Sequence, residues 1–436
     1  MLKRCFLIAA LLACASVFAL QGKLMFTLAP NVPDQFVHIM PFRPPVIPFV
    51  GKCVRNQPVA LHLVLANPAS DKDGKVLVEI ESIRIVDPQG KEKEFVGSGK
   101  PMVALQGVKK TKRDFSGVLL AGIWSLSAED GDPLGKTRAT VKLRDRGDGS
   151  TLECSAEIEL VDKLPDASEK PMTDRELGAF LTNYYLKPAP GKIPAAFEAF
   201  LRFDKKNCGV KKDYDPLMWL CGFSALYKLN PQLRPALIRG AEKYPAVHKM
   251  YVAMILIEAG VPESELKDAD PELKANFDKI KSEGKSPLAF AAVSSPSQLD
   301  ALWAAFFATG GFEPIRRLVG ELRKRENVMT LEEVKKLGRK PDPAEMKKIA
   351  NGLIGRAAEW SLVANARQHR LVAYYLEAML LRKEYPDRAA AVKLGAILIK
   401  AGLLEVATTP DGKKVLRSVL RPKKRAAKRG YNPLGK

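Results

Sequence analysis

Histidine is scarce in this chain of 436 residues, with four in all, at 38, 62, 248 and 369. No two of them fall at metal-ligand spacing, and no CxxC pair stands near them, so a zinc site built from a local motif is excluded. Neither HExxH nor GxSxG occurs, which removes the commonest local signatures of metalloproteases and serine hydrolases. Triads assembled across a fold leave no such trace, so an enzyme is not excluded by this alone. Long apolar runs are missing too. The longest, Cys5–Leu20, has sixteen apolar or small residues, short of the ~18–20 that a membrane-spanning helix needs. Acidic residues are absent from the last 24 positions.

The short apolar run follows Lys3 and Arg4 and ends in small residues, the pattern of an export signal. Two processing routes compete. Val17-Phe18-Ala19 suits cleavage after Ala19, giving a signal over 1–19. Leu11-Leu12-Ala13-Cys14 is a weaker match to a lipobox, in which Cys14 is acylated and anchors the chain. The expected location is the periplasm or cell surface. Of six cysteines, Cys53, Cys154, Cys208 and Cys221 remain beyond the signal. An even number in an exported chain can pair, and the layout favours Cys53–Cys154 and Cys208–Cys221 as disulfides, with buried free thiols as the alternative.

The net charge of +21 is unevenly spread. Residues 20–168 carry 20 basic and 19 acidic side chains, whereas 413–436 carry ten basic ones. Lys413, Lys414, Arg417, Arg421, Lys423, Lys424, Arg425, Lys428 and Arg429 make a cluster that any polyanion would attract. Outside the cytoplasm the candidates are anionic lipid headgroups and acidic polymers, and nucleic acid is not an expected partner. The alternative is a disordered, solubilising tail.

The first half reads as β. "RATVKLR" (138–144) alternates Ala139, Val141 and Leu143 with charge, and "ECSAEIEL" (153–160) points Cys154, Ala156, Ile158 and Leu160 to one side. Such alternation marks strands with one buried face, and "DRGDGS" between them supplies hairpin-turn residues. Further strands are expected at 58–66, 76–80 and 82–86, with a bulge between the last two because the apolar phase slips between Ile80 and Ile83. "DPQGK" (87–91) is a turn. The expected architecture for 20–165 is an antiparallel β-sandwich. "DPLGKTRATVKLRDRGDGSTLECSAEIELVD" (132–162) resembles the Ig-like sandwich domains of bacterial exported proteins, a likeness that implies a fold and no activity.

A polar boundary near 162–176 precedes a capping box formed by Thr173 and Glu176. Beyond it the period is helical. Helices are expected at 173–185, 193–203, 215–229, 232–242, 246–259, 297–309, 313–325, 343–366, 370–382 and 387–402. Short Gly/Pro-marked connections imply antiparallel neighbours, so 170–410 reads as an all-α stack of helical hairpins, either a solenoid or an irregular bundle. "LDALWAAFFATGGFEPIRRLV" (299–319) and "AAEWSLVANARQH" (357–369) resemble an uncharacterised family of bacterial helical proteins, which implies a helical fold and no assigned chemistry.

The motifs that suggest chemistry have plainer readings. In "GDPLGKT" (131–137) Gly131 and Gly135 enclose three residues where a phosphate loop needs four, and a strand follows instead of a helix. Arg146-Gly147-Asp148 sits at a hairpin tip where the turn itself asks for Asp and Gly. His62 lies on the strand face opposite Val59, Leu61, Leu63 and Leu65, and is expected at an exposed or edge position. His369 shares a helix face with Asn365 near a C-terminus, where the helix dipole favours a partly charged ring. Glu332-Glu333 and Asp268 with Glu272 read as solvated carboxylates. Trp219, Phe223 and Tyr227, and Trp303, Phe306 and Phe307, read as helix-packing core, with a sugar-stacking platform as the functional alternative. No catalytic, cofactor or metal residue is assigned. The composite expectation is an exported envelope protein that binds or scaffolds without catalysis, with another envelope protein or an anionic polymer or lipid surface as its partner. A hydrolase of envelope polymers and a polyanion binder acting through the tail are the rivals.

Overall fold

The computed structural model describes residues 19–408, apart from 29, 41–42, 95–101, 111–117, 165, 168–169, 209–213, 285–287, 289–291, 326–328, 330 and 383–387, together with 414–418. The expected signal, Cys14 included, and most of the basic tail lie outside these residues. The chain divides into two compact units, Met1–Ala167 and Ser168–Lys436.

The first unit holds two sheets. One has three antiparallel strands in the order β1 (Gln21–Thr27), β3 (Val59–Ala66), β7 (Val118–Leu126). The other runs β2 (Lys52–Cys53), β9 (Thr151–Leu160), β8 (Gly135–Asp145), β4 (Lys75–Val86), β5 (Glu92–Glu94), with β6 (Met102–Val108) also on β4. Its β2–β9 pair is parallel, so this sheet is mixed. Among the described residues one helix, α1 (Val32–His38), interrupts the strands.

The alternating residues do what their period dictates. Ala139, Val141 and Leu143 are fully buried and join Cys154, Ile158 and Leu160 in a cluster that also takes in Leu24, Phe26, Leu61, Leu63 and Leu65 from the three-stranded sheet. The phase slip near Ile80 is a bulge: β4 is one twelve-residue strand whose register against β8 shifts between Ile80 and Ser82. The β8–β9 turn is pinned from below by Asp145. Its buried carboxylate accepts hydrogen bonds from the amides of Ala69, at 2.7 Å, and Gly147, at 2.9 Å. A side chain at Gly147 would collide with the Ala69 backbone, which explains the glycine. Arg146 is paired with Glu79, so Arg146-Gly147-Asp148 is a built turn.

Two expectations fail here. His62 is 1% exposed, because β3 is the central strand of its sheet and the face given to solvent by the alternation is covered as well: Met25 opposite it and Val64 beside it are buried. The disulfide Cys53–Cys154 is excluded by register. Cys53 pairs with Leu160, which places Cys154 six residues away along β9, about 20 Å at ~3.3 Å per residue, while a disulfide needs Cα atoms within ~7 Å. All four cysteines are free thiols; Cys208 is exposed, and Cys221 lies half-buried with its Sγ 3.9 Å from the Leu288 carbonyl.

The second unit is helical: α2 (Asp174–Asn183), α3 (Ile193–Asn207), α4 (Leu217–Leu229), α5 (Arg234–Gly240), α6 (Ala246–Glu258), α7 (Pro271–Ser282), α8 (Pro296–Thr309), α9 (Phe312–Gly320), α10 (Leu331–Lys336), α11 (Pro343–Gln368), α12 (Arg370–Leu381) and α13 (Arg388–Lys400). Thr173 and Glu176 form the capping box that starts α2, and Asp342 with Glu345 starts α11 in the same way. Each box satisfies amides that a helix start leaves open. Phe197, Phe200, Phe223 and Tyr227 make the centre of the core, with ring centroids 5.1–6.1 Å apart in edge and tilted geometries. The tail expected to be disordered from 413 begins instead with a strand. β11 (Lys414–Ser418), which holds Lys414 and Arg417, pairs antiparallel with β10 (Leu404–Thr408).

Candidate functional site

Helix α8 carries Asp300, Trp303, Ala304 and Phe307 on one face, the spacing that a helix of 3.6 residues per turn brings into line. That face borders a cavity of about 110 Å³ within the helical unit, closed by Gly178, Leu181 and Thr182 of α2, Met218, Trp219 and Gly222 of α4, and Ser361, Asn365 and Gln368 of α11. Four helices far apart in sequence thus make one recess. A cavity of this order takes a few waters or one ring-sized group.

Its lining is mixed in a way that suits a ligand. Trp303 stacks against Phe307 at 5.8 Å between ring centroids. Trp303 is almost wholly buried, and its indole N–H has no acceptor. Buried donors are nearly always paired, so this orphan on a residue that lines the cavity is an exception. Asp300 is open to water on one side and walled by protein on the other. The crowding raises its pKa to about 6, and the open side limits that rise. Close to neutral pH it is therefore a carboxylate that accepts hydrogen bonds readily.

Behind this wall stands His369. Its Nδ1 shares a 3.0 Å hydrogen bond with Tyr185 Oη, its ring centroid is 5.0 Å from that of Phe307, and its Nε2 is buried without a partner. The expected partly charged ring is corrected here. Burial among aromatic rings lowers the pKa to about 4, outweighing the dipole of α11, and the imidazole is neutral. His62 behaves alike, lowered by burial to about 4 with both nitrogens unpartnered. A third histidine is structural: His248 Nε2 lies 3.0 Å from Asp204, whose other oxygen accepts from Tyr214 at 2.8 Å.

Of the aromatic residues read as core, Trp219, Phe223, Tyr227, Trp303 and Phe306 are buried and Phe307 is half-buried; Trp219, Trp303 and Phe307 also line the recess. Glu332, Glu333, Asp268 and Glu272 are exposed, and Glu272 pairs with Lys249 at 3.2 Å. No group of three potential metal ligands stands together among the described residues, and no described helix is long and apolar enough to cross a membrane. Asp300 escaped the sequence reading, although its spacing to Trp303 and Phe307 was there to be seen.

No family profile matches the chain, and no curated protein does. Among solved structures it is similar to a family 123 glycoside hydrolase from Clostridium perfringens, at 10% identity and a TM-score of 0.20, over 43% of this chain and 35% of that one. Alpha-2-macroglobulin from E. coli aligns over 92% of this chain and 28% of its own, at 9% identity and a TM-score of 0.16. The Salmonella alpha-2-macroglobulin aligns at 10% and 0.15. The chain spans about a third of that hydrolase's length, and similarity this low carries no functional argument.

Proposed function

We propose that the protein is an exported binding or scaffolding protein of the cell envelope, whose helical unit holds one ring-sized, hydroxylated ligand such as the terminal sugar of an envelope polymer. The observation that carries this reading is the recess beside α8, which Asp300 lines together with Trp219, Trp303 and Phe307, Trp303 having a buried N–H without a partner. A sugar ring offers hydroxyls that accept from the indole and donate to the carboxylate, and an apolar face for the aromatic side chains. A glycoside hydrolase sets two carboxyls ~5–10 Å apart around its bond, and Asp300 is the single carboxylate among the described lining residues. The lining supports binding over hydrolysis.

Cleavage after Ala19, the expected export site, leaves β1 whole, since that strand begins at Gln21. We further propose that the two sheets of the first unit face one another as a sandwich, since their inward residues share one core. Tryptophan fluorescence titrated with glucose, galactose and N-acetylglucosamine, and with envelope oligosaccharides bearing them, tests the ligand. Saturable quenching that Asp300→Asn and Trp303→Phe each weaken by roughly tenfold supports the reading. A flat response to every sugar to about 50 mM, a free energy of under ~2 kcal/mol, refutes it.

A further inference from the structure

Helix α11 is the longest among the described residues, with 26 residues, and it has two apolar faces. One packs inward through Ile354, Ala358, Leu362 and Ala366. The other points out. Met346, Leu353 and Trp360 are 52%, 49% and 57% exposed and stand seven residues apart. Ala350, Ala357 and Ala364 fall between and after them, so the outward stripe repeats at steps of four and three over 19 residues. That is the spacing of a coiled-coil seam, here about 28 Å long. Large and small residues alternate along it without exception.

We propose that this stripe is the seam of a two-fold dimer in which α11 of two copies pair antiparallel. The argument is self-complementarity. In the register with Leu353 opposite Ala357, Ala350 falls opposite Trp360 and Met346 opposite Ala364, so every large side chain meets an alanine of the second copy. A parallel pair would set tryptophan on tryptophan and alanine on alanine. A two-fold interface requires that residue i meet j while j meets i, and this stripe satisfies that at all six positions. The helix beside it adds surface: α13 is tied to α11 by Lys400 and Glu359, at 2.8 Å, and its Val392 and Ile399 are also exposed.

Area sets the strength. Three side chains half open, with three alanines, leave roughly 300–400 Å² of apolar surface per copy. Pairing buries about twice that, below the ~1,200 Å² of standard stable interfaces, so the dimer is weak and depends on concentration. Exposed Arg356 flanks the seam next to its midpoint, and the two-fold brings both copies of it to the same side. Salt that screens this repulsion strengthens the pair.

Sedimentation velocity on the full mature chain, from about 5 to 500 µM, reads the association directly. The wild type is expected to shift towards dimer with concentration. Leu353→Ala and Ala357→Leu are each expected to weaken the dimer by roughly 30-fold, by loss of the knob and by a clash of two leucines. The double exchange Leu353→Ala with Ala357→Leu restores a large residue opposite a small one, and dimerisation returns to within about threefold of wild type. Circular dichroism melts confirm that these surface variants fold. A wild type that stays monomeric at 500 µM overturns the proposal, and so does a dimer indifferent to the single variants. A double exchange no better than the worse single shows pairing in another register and also overturns it. A monomer whose stripe binds anionic phospholipid vesicles assigns the face to a membrane and overturns it too.

Discussion

Replacing His62 by leucine should make the β unit more stable, against the usual direction for a change in a buried strand. The imidazole sits on the central strand β3 with both nitrogens unpartnered and its pKa lowered to about 4 by burial. An unsatisfied buried polar group costs about 1–3 kcal/mol, and leucine has similar volume and no polar atom, so a gain of about 1–2 kcal/mol is expected at pH 7.5. The pH dependence has a definite sign. A base whose folded pKa lies below its ordinary 6.5 binds its proton mainly in the unfolded chain. Its contribution is intact above 6.5 and drains away as pH falls from 6.5 towards 4. At pH 5 the loss is about 2 kcal/mol, from ~1.4 kcal/mol per unit, and His62→Leu avoids it. Hydrogen exchange read by mass spectrometry on peptides covering 59–66 and 118–126 isolates this unit from the helical one, where His369 titrates by the same rule. A variant less protected than wild type at pH 7.5, or one that keeps the full loss between pH 6.5 and 5, would refute the reasoning.

Three further outcomes follow from the helical unit and the thiols. Asp300→Asn should stabilise the unligated protein by about 1 kcal/mol at pH 7.5, after discounting the ~3 kcal/mol implied by a pKa of about 6 for the solvent-open side of the carboxyl. Because this acid is raised, its own contribution falls as pH rises from 4 to 6, so the advantage of Asp300→Asn over wild type in thermal melts should grow across that window, against the histidine background that both share. Gly222→Ala should raise the melting temperature, since alanine is better by ~1 kcal/mol inside a helix and its Cβ would meet Ala304 at an ordinary 3.5 Å; a lower melting temperature contradicts it. Native protein treated with iodoacetamide should be labelled at Cys208 alone among the four thiols, because Cys53, Cys154 and Cys221 are shielded and held up at about 11, 11 and 12. After unfolding without reductant Cys53 and Cys154 should both react, and failure to do so would contradict the strand register.

Local chemistry was readable in the sequence, and long-range pairing was not. The alternation in β8 and β9, the slip at Ile80 and the Thr173 cap each depend on residues a few positions apart, and each is present in the fold. β1 and β7 passed unseen because "QGKLMFT" and "VLLAGIWSL" carry little alternation. α7 was missed because Lys274, Asp278, Lys279 and Lys281 mask the two buried residues Leu273 and Phe277. His62 was misplaced because alternation shows which residues share a face and not whether the second face is covered. The cysteine pairing failed for the same reason, since the β2–β9 register is set by strands about a hundred residues apart. The recess needed four helices, of which the sequence disclosed the aromatic contribution and hid Asp300.

The position of β1 bears on how the first unit guards its edge. It is an edge strand, joined to its sheet through β3 alone, and it starts two residues after the expected cleavage point. Without those seven residues β3 is left with an open edge, and the sheet is reduced to the β3–β7 pair. An unpaired edge of this kind is a template for a strand of another chain, so β1 protects the unit from association as well as completing its sheet.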